Sequence, residues 1–263
     1  MAYSKIKTSV EDGVGVITLS DPATLNAAGL DLMDELARAF EDLKSKVRCL
    51  VITGEGRGFC SGANLSGRAD APAPADPAER DAGAALESVY NPFMKALRDS
   101  PIPIVTAVNG PAAGVGCSLA LMGDIIVASE SAYFMQAFRR IGLVPDGGST
   151  YLLPRLVGKA RAMEMALMGE KVPAATAAQW GLVNRCVPDD QLMPTALEFA
   201  RNLAAGPWAL GAIRKLIWDS LDAEWDAQLH AERMTQRDAG RTDDSREGVI
   251  AFLQKRPAAF TGR

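Results

Sequence analysis

The sequence predicts one α/β body with parallel β layers, followed by a helical C-terminal stretch. Short apolar runs bounded by glycine, proline or aspartate alternate with segments of helical period up to about residue 159. Runs such as Arg48-Cys49-Leu50-Val51-Ile52-Thr53 are too apolar for strands with a wet face and suit strands covered on both sides. From Lys159 onward nearly every segment repeats at helical spacing. A chain of 263 residues, 48% of them hydrophobic, is long enough to bury a substantial core.

Residues 6–10 alternate apolar and polar side chains, and Val14-Gly15-Val16-Ile17-Thr18-Leu19 follows Asp12-Gly13, which predicts a β-hairpin. Asn26 is placed to cap a helix in which Leu30, Met33, Leu36, Ala37, Phe40 and Leu43 recur. The buried strand 48–53 then runs into the glycine-punctuated loop 54–58. Residues 69–78 are dominated by Ala, Pro and Asp, which cannot build an apolar face and predict a loop beside a pocket. A helix over 84–98 leads through Pro101 and Pro103 to a buried strand at 104–108. A helix over 114–121 and a buried strand at 124–128 follow. Helices are expected over 159–168, 174–180, 192–204, 208–219, 224–239 and 245–254, with a short strand in the interruption 181–187. Successive strand–helix units of this kind imply parallel strands within one body.

Composition excludes several functions. A net charge of −4 and a pI near 5.2 give no electrostatic case for nucleic acid or an anionic membrane surface. The four cysteines Cys49, Cys60, Cys117 and Cys186 are widely spaced and form no CxxC pair, so neither a disulfide framework nor a metal site is indicated. With no signal-like apolar N-terminus and no membrane-length run, a soluble, cytoplasmic protein is expected. His230 is the one histidine and falls in a polar helix, which disfavours Ser-His-Asp or Cys-His catalysis. No GxxxxGK[ST] occurs, and Leu119 stands where GxGxxG would need its third glycine.

Three segments carry chemistry. Ile141-Gly142-Leu143-Val144-Pro145-Asp146-Gly147-Gly148 sets one carboxylate between an apolar run and a glycine pair. Apolar surroundings disfavour the ionised acid and lift its pKa toward the range where it can both take and return a proton. Pro-Asp-Gly-Gly is equally a favoured turn in which Asp caps the following helix. Gly110-Pro111-Ala112-Ala113-Gly114-Val115-Gly116-Cys117-Ser118 is a glycine-rich turn into a helix, whose N–H groups can hold a developing oxyanion or whose small residues can simply let the helix pack closely. Arg57-Gly58-Phe59-Cys60-Ser61-Gly62-Ala63-Asn64-Leu65 leaves a buried strand and offers either a second oxyanion donor or an ordinary turn. Together they suggest an enzyme that moves a proton on an acyl compound.

The segments 58–65, 107–128 and 142–158, with the ending 246–256, resemble the enoyl-CoA hydratase/isomerase (crotonase) superfamily over almost the whole chain. The resemblance implies a crotonase-like spiral of ββα units over residues 1–200, with a C-terminal helical region, 201–263, that packs chains into trimers or dimers of trimers. It implies acyl-CoA thioester substrates, with the thioester oxygen held by the main-chain N–H groups of Ala63 and Val115. At Val115 the family usually has glycine, and a main-chain donor survives the change. Hydratases of the superfamily carry two glutamates at the positions of Ser118 and Phe138, and both acids are missing here. Asp146 stands where isomerase branches carry their single acid. Val144-Pro145-Asp146, Tyr151-Leu152-Leu153-Pro154-Arg155 and Tyr90-Asn91-Pro92-Phe93 are similar to the ring-1,2-epoxyphenylacetyl-CoA isomerase and Δ3,Δ2-enoyl-CoA isomerase branch.

By this resemblance Asp146 is the catalytic base, and Phe138 and Ser118 line the acyl pocket beneath the 69–78 loop. Gly62, Asn64, Leu65 and Lys255 contact coenzyme A, which belongs to the substrate; no separate cofactor and no metal are implied. For Lys255, and for its neighbour Arg256, a solvated terminal charge is the other open reading. Enoyl-CoA hydration and non-catalytic acyl-CoA binding are the alternative functions.

Overall fold

The computed structural model describes residues 3–65, 76 and 81–263. Apart from Asp76, the loop expected at 69–78 lies outside the described residues. The hairpin forms as β1 (Ile6–Glu11) and β2 (Val14–Leu19), and helix α1 (Leu30–Lys44) leads to β3 (Cys49–Gly54). After α2 (Asn91–Arg98) come β4 (Ile104–Val108), β5 (Pro111–Ala113) and α3 (Val115–Ala120). Then follow β6 (Ile125–Ser129), β7 (Tyr133–Met135), α4 (Ser149–Met168), β8 (Val172–Pro173), α5 (Ala174–Trp180) and β9 (Arg185–Val187). The chain closes with α6 (Leu192–Ala204), α7 (Ala209–Ser220), α8 (Trp225–Ala239) and α9 (Asp243–Gln254).

The main sheet has the order β1-β2-β3-β4-β6-β9, antiparallel only between β1 and β2. A small second sheet, β5-β7-β8, was not foreseen from the sequence. Each spiral turn lays a strand in the main sheet, a short strand in the second sheet and then a helix: β4-β5-α3, then β6-β7-α4. The preceding turn contributes Cys60, bridged to Ala112 of β5, in place of a full strand.

Alternation along β3 explains its unbroken hydrophobicity. Leu50 and Ile52 join the core shared with Leu32, Leu36 and Phe40 of α1, whereas Cys49 and Val51 face the opposite cluster. There α6 lies on the sheet through Leu192, Ala196, Ala200 and Ala204, a four-residue repeat whose small side chains let helix and sheet approach closely. Ala200 and Ala204 are both buried in this helix, which spans residue 200.

Two further expectations are corrected. Asn26 does not cap α1, whose N-cap is Gly29; it is fully buried with φ +57°. Its side-chain amide donates to the carbonyls of Glu55 (3.0 Å) and Gly58 (2.7 Å) and accepts from Asp21 N–H. A helix also precedes the one expected at 159–168: α4 starts at Ser149 and breaks at Gly158, where φ is +76° and ψ 162°. Pro154 and Gly158 masked its first half. Among the described residues no helix is long and apolar enough to cross a membrane.

Candidate active site

The site grows from the carboxyl ends of β3 and β4, the end of a parallel sheet where loops diverge and leave main-chain groups unpaired. Thr53 Oγ1 donates to Ala107 O at 2.8 Å, and Gly54 N–H donates to Asn109 Oδ1 at 3.1 Å, so the two loops leave the sheet tied together. They stay together: Cys60 N–H donates to Pro111 O (3.0 Å) and Ala113 N–H to Cys60 O (3.0 Å). At Gly62 φ is +101°, and a Cβ there would stand 2.9 Å from Ala113 O, so only glycine fits the crossing. Ala63 and Val115 are thereby brought to adjoining turns: a Cβ on Gly114 would lie 3.8 Å from Gly62 Cα. Neither the Ala63 nor the Val115 N–H donates a hydrogen bond among the described residues. Val115 opens α3, where a helix has no internal partner for its first N–H groups.

The third loop comes from the second spiral turn. After β7 a short 3₁₀ segment, Ala137–Ile141, carries Phe138 inward, its ring 3.8 Å from where a Cβ on Gly114 would be. Phe138, expected on the acyl wall, is buried here. The chain then exposes Leu143 and Val144 and turns in at Asp146. Gly147 has φ +59°, and a Cβ on it would meet Ser118 Cβ at 2.9 Å and Val115 Cγ2 at 3.3 Å, which seats the acid's neighbour directly on the first turn of α3.

Ser118 has a role the sequence did not disclose. It is fully buried, and its Oγ donates to the main-chain oxygen of Asp146 at 2.8 Å. The hydroxyl that was expected on the acyl wall braces the acid's loop instead. Ser149 N–H (3.1 Å) and Ser149 Oγ (2.9 Å) donate to the same oxygen.

The Asp146 carboxylate is left free of such duties. The N-cap of α4 is Gly148, and no side chain caps the helix. Oδ1 of Asp146 is buried without a hydrogen-bond partner among the described residues. Burial pushes its pKa up to about 6. An unpartnered carboxyl is costly to keep, and sites that store such cost are candidates for chemistry. The ionised form of Asp146 should therefore be lost on acidification: if it carries the chemistry, kcat/KM is expected to fall about tenfold per pH unit below 6 and to be flat between 7 and 8, which a pH–rate profile checks.

Asn64 is partly buried and Leu65 exposed beside these turns. Lys255 is exposed with φ +53° at the end of α9. The tail beyond it returns to Arg48, at the start of β3 and so at the other end of the sheet. Neighbouring Arg256 pairs with Glu247 at 2.6 Å. Clefts of 690 Å³ between α7 and α8 and of 390 Å³ between α4 and α7 share no residue with the Asp146 loops. The chemistry of the converging groups, rather than cleft size, identifies this site.

The family pattern described as enoyl-CoA hydratase/isomerase matches residues 9–263. The chain belongs to this family. Relatives of the enoyl-CoA hydratase/isomerase family include the 1,2-epoxyphenylacetyl-CoA isomerase of Escherichia coli K12, 44% identical over 261 residues and 98% of each chain. The 2,3-dehydroadipyl-CoA hydratase of the same organism is 36% identical, covering 99% of this chain and 100% of its own. A crystal structure of an enoyl-CoA hydratase from Geobacillus kaustophilus HTA426 superposes with a TM-score of 0.90 at 33% identity, covering 99% of both chains. The fold is that of the crotonase enzymes, and the chain is an enzyme of the hydratase/isomerase family.

Proposed function

We propose that the protein is an acyl-CoA isomerase using Asp146 as its single proton carrier. One observation carries the reading: the converging loops present a half-buried carboxyl, Asp146, whose Oδ1 has no partner among the described residues, and two N–H groups that donate to none of them. Ser118 and Phe138 supply no second acid. Water addition to a conjugated thioester needs one group to activate water and another to protonate the α-carbon. Double-bond migration needs one base acting twice.

In this reading the thioester oxygen of a 3-enoyl-CoA accepts hydrogen bonds from Ala63 N–H and Val115 N–H. Ionised Asp146 removes a proton from the α-carbon, and the electron pair delocalises into a dienolate whose oxygen those amides stabilise. The carboxylic acid then returns the proton to the γ-carbon, giving the 2-enoyl-CoA and restoring the carboxylate. With an epoxide-bearing phenylacetyl group, the same amides polarise the thioester while the ring expands to an oxepin; the 44%-identical isomerase supports that substrate class. Phe138 forms apolar wall, Gly62, Asn64 and Leu65 hold coenzyme A, and Lys255 meets it across a subunit boundary. Exposed Ile217, Trp225, Leu229, Phe252 and Leu253 on α7–α9 support self-association as a trimer or dimer of trimers, read out as sedimentation mass.

The test is a panel of 3-enoyl-CoA and epoxidised phenylacetyl-CoA substrates. Turnover of at least one class is expected. Tight thioester binding with no turnover of either would replace the reading with a non-catalytic binder.

A further inference from the structure

Tyr90 lies in a turn that neither proton transfer nor thioester binding explains. The five residues Leu86–Tyr90 form a π-helical turn, closed by Asn91 N–H donating to Leu86 O, five residues back. Pro92 follows at once and has no N–H for the carbonyl four residues earlier, so the widened turn absorbs what an α-helix could not. The result turns Tyr90 inward. It is buried, and its phenolic O–H donates to the main-chain oxygen of Ala28 at 2.5 Å.

Ala28 is the residue on which the Ala63 turn is hung. Its own N–H donates to Gly62 O at 2.7 Å, and it forms a one-residue parallel bridge with Ala63. The rest of the 24–28 segment runs along the same loop. Ser61 N–H donates to Leu25 O (3.0 Å) and Ser61 Oγ to Thr24 O (2.8 Å), while Asn26 holds Gly58 O. These other ties fix the loop up to Ser61. At Ala28, the link next to Ala63, the Tyr90 hydroxyl adds a tie from outside the 24–28 segment.

We propose that Tyr90 is a positioning residue for the thioester oxyanion site, acting through Ala28 and Gly62 to aim the Ala63 N–H. The inference rests on the reading of Ala63 as an oxyanion donor. A hydrogen bond to a carbonyl oxygen is directional, and small misplacements of a donor cost rate steeply. Phenylalanine at this position fills the same volume and deletes only the hydroxyl.

The experiment compares Tyr90→Phe with the unaltered protein, using butyryl-CoA labelled with ¹³C at its thioester carbonyl and infrared difference spectroscopy of the bound carbonyl. The unaltered protein should lower the carbonyl stretch relative to free butyryl-CoA, and Tyr90→Phe should lower it less. Turnover of 3-enoyl-CoA should show kcat down about tenfold with KM within about twofold. Melting should shift by no more than about 5 °C, as for one lost hydrogen bond in a chain of this size. An identical bound stretch in the two proteins overturns the proposal whatever happens to kcat, and leaves the oxyanion reading standing. A bound stretch in the unaltered protein equal to that of free thioester removes the oxyanion reading, and the role of Tyr90 with it.

Discussion

Asp146→Asn is expected to lose double-bond migration while gaining stability. Asparagine keeps the shape of the side chain and its loop, because what holds the loop is the main-chain oxygen of residue 146, gripped by Ser118 and Ser149. The amide cannot accept the α-proton, so kcat should drop by about 10²–10⁴-fold, the usual worth of a positioned general base. Thioester affinity should change little. Stability should move the other way. A carboxyl whose pKa is raised in the folded protein favours folding less once it is ionised; the penalty is absent below pH 4, grows as pH rises toward 6, and is full above it. Removing the charge should stabilise the protein by about 2 kcal/mol at pH 8, a figure discounted for the solvent-facing part of the carboxyl, and by nearly nothing at pH 3, measured by denaturant unfolding. Activity lost and stability gained at one position is the mark of a group kept for chemistry.

Val115→Pro is expected to cost about 10²–10³-fold in kcat, the typical loss when one oxyanion donor is removed. Position 115 is the first residue of α3, the place in a helix where proline is best tolerated, because the N–H there has no helical partner. The substitution therefore deletes the donor while the helix keeps its internal bonds. Val115→Ala is the control. It trims the side chain that packs near Gly147 but keeps the N–H, and should retain kcat within about threefold. Equal losses in the two variants would assign the effect to packing rather than to the amide.

Much of the fold could be read from the chain because the strands of the main sheet are continuous apolar runs; the strand at 104–108 matches its expected bounds. The second sheet could not be read. Its strands are two or three residues long, too short to display a period, and Pro111 and Pro173 lie within them. Asn26 reads as a helix cap because asparagine usually serves there, yet its left-handed backbone and buried amide make it the clamp of the 54–58 loop instead.

For the site, the half-buried setting of Asp146 was legible in a carboxylate set among apolar residues and glycines. The meeting of three loops was not, since residues 62, 115 and 146 are far apart in sequence and only the spiral winding joins them. The direction of the Ser118 hydroxyl depends on that winding too. The role of Tyr90 had a trace in the sequence, a proline two residues after an aromatic, but the carbonyl it reaches lies 62 residues earlier.

The central claim is that one carboxyl, that of Asp146, moves a double bond and that the protein does not add water. Giving the purified protein 3-enoyl-CoA and 2-enoyl-CoA of equal chain length in separate reactions, and following product mass and rate, tests it most directly. The 3-enoyl compound should be consumed to an isomer of unchanged mass, with the 2-enoyl compound gaining water at a far lower rate; hydration of the 2-enoyl compound outpacing isomerisation would contradict it.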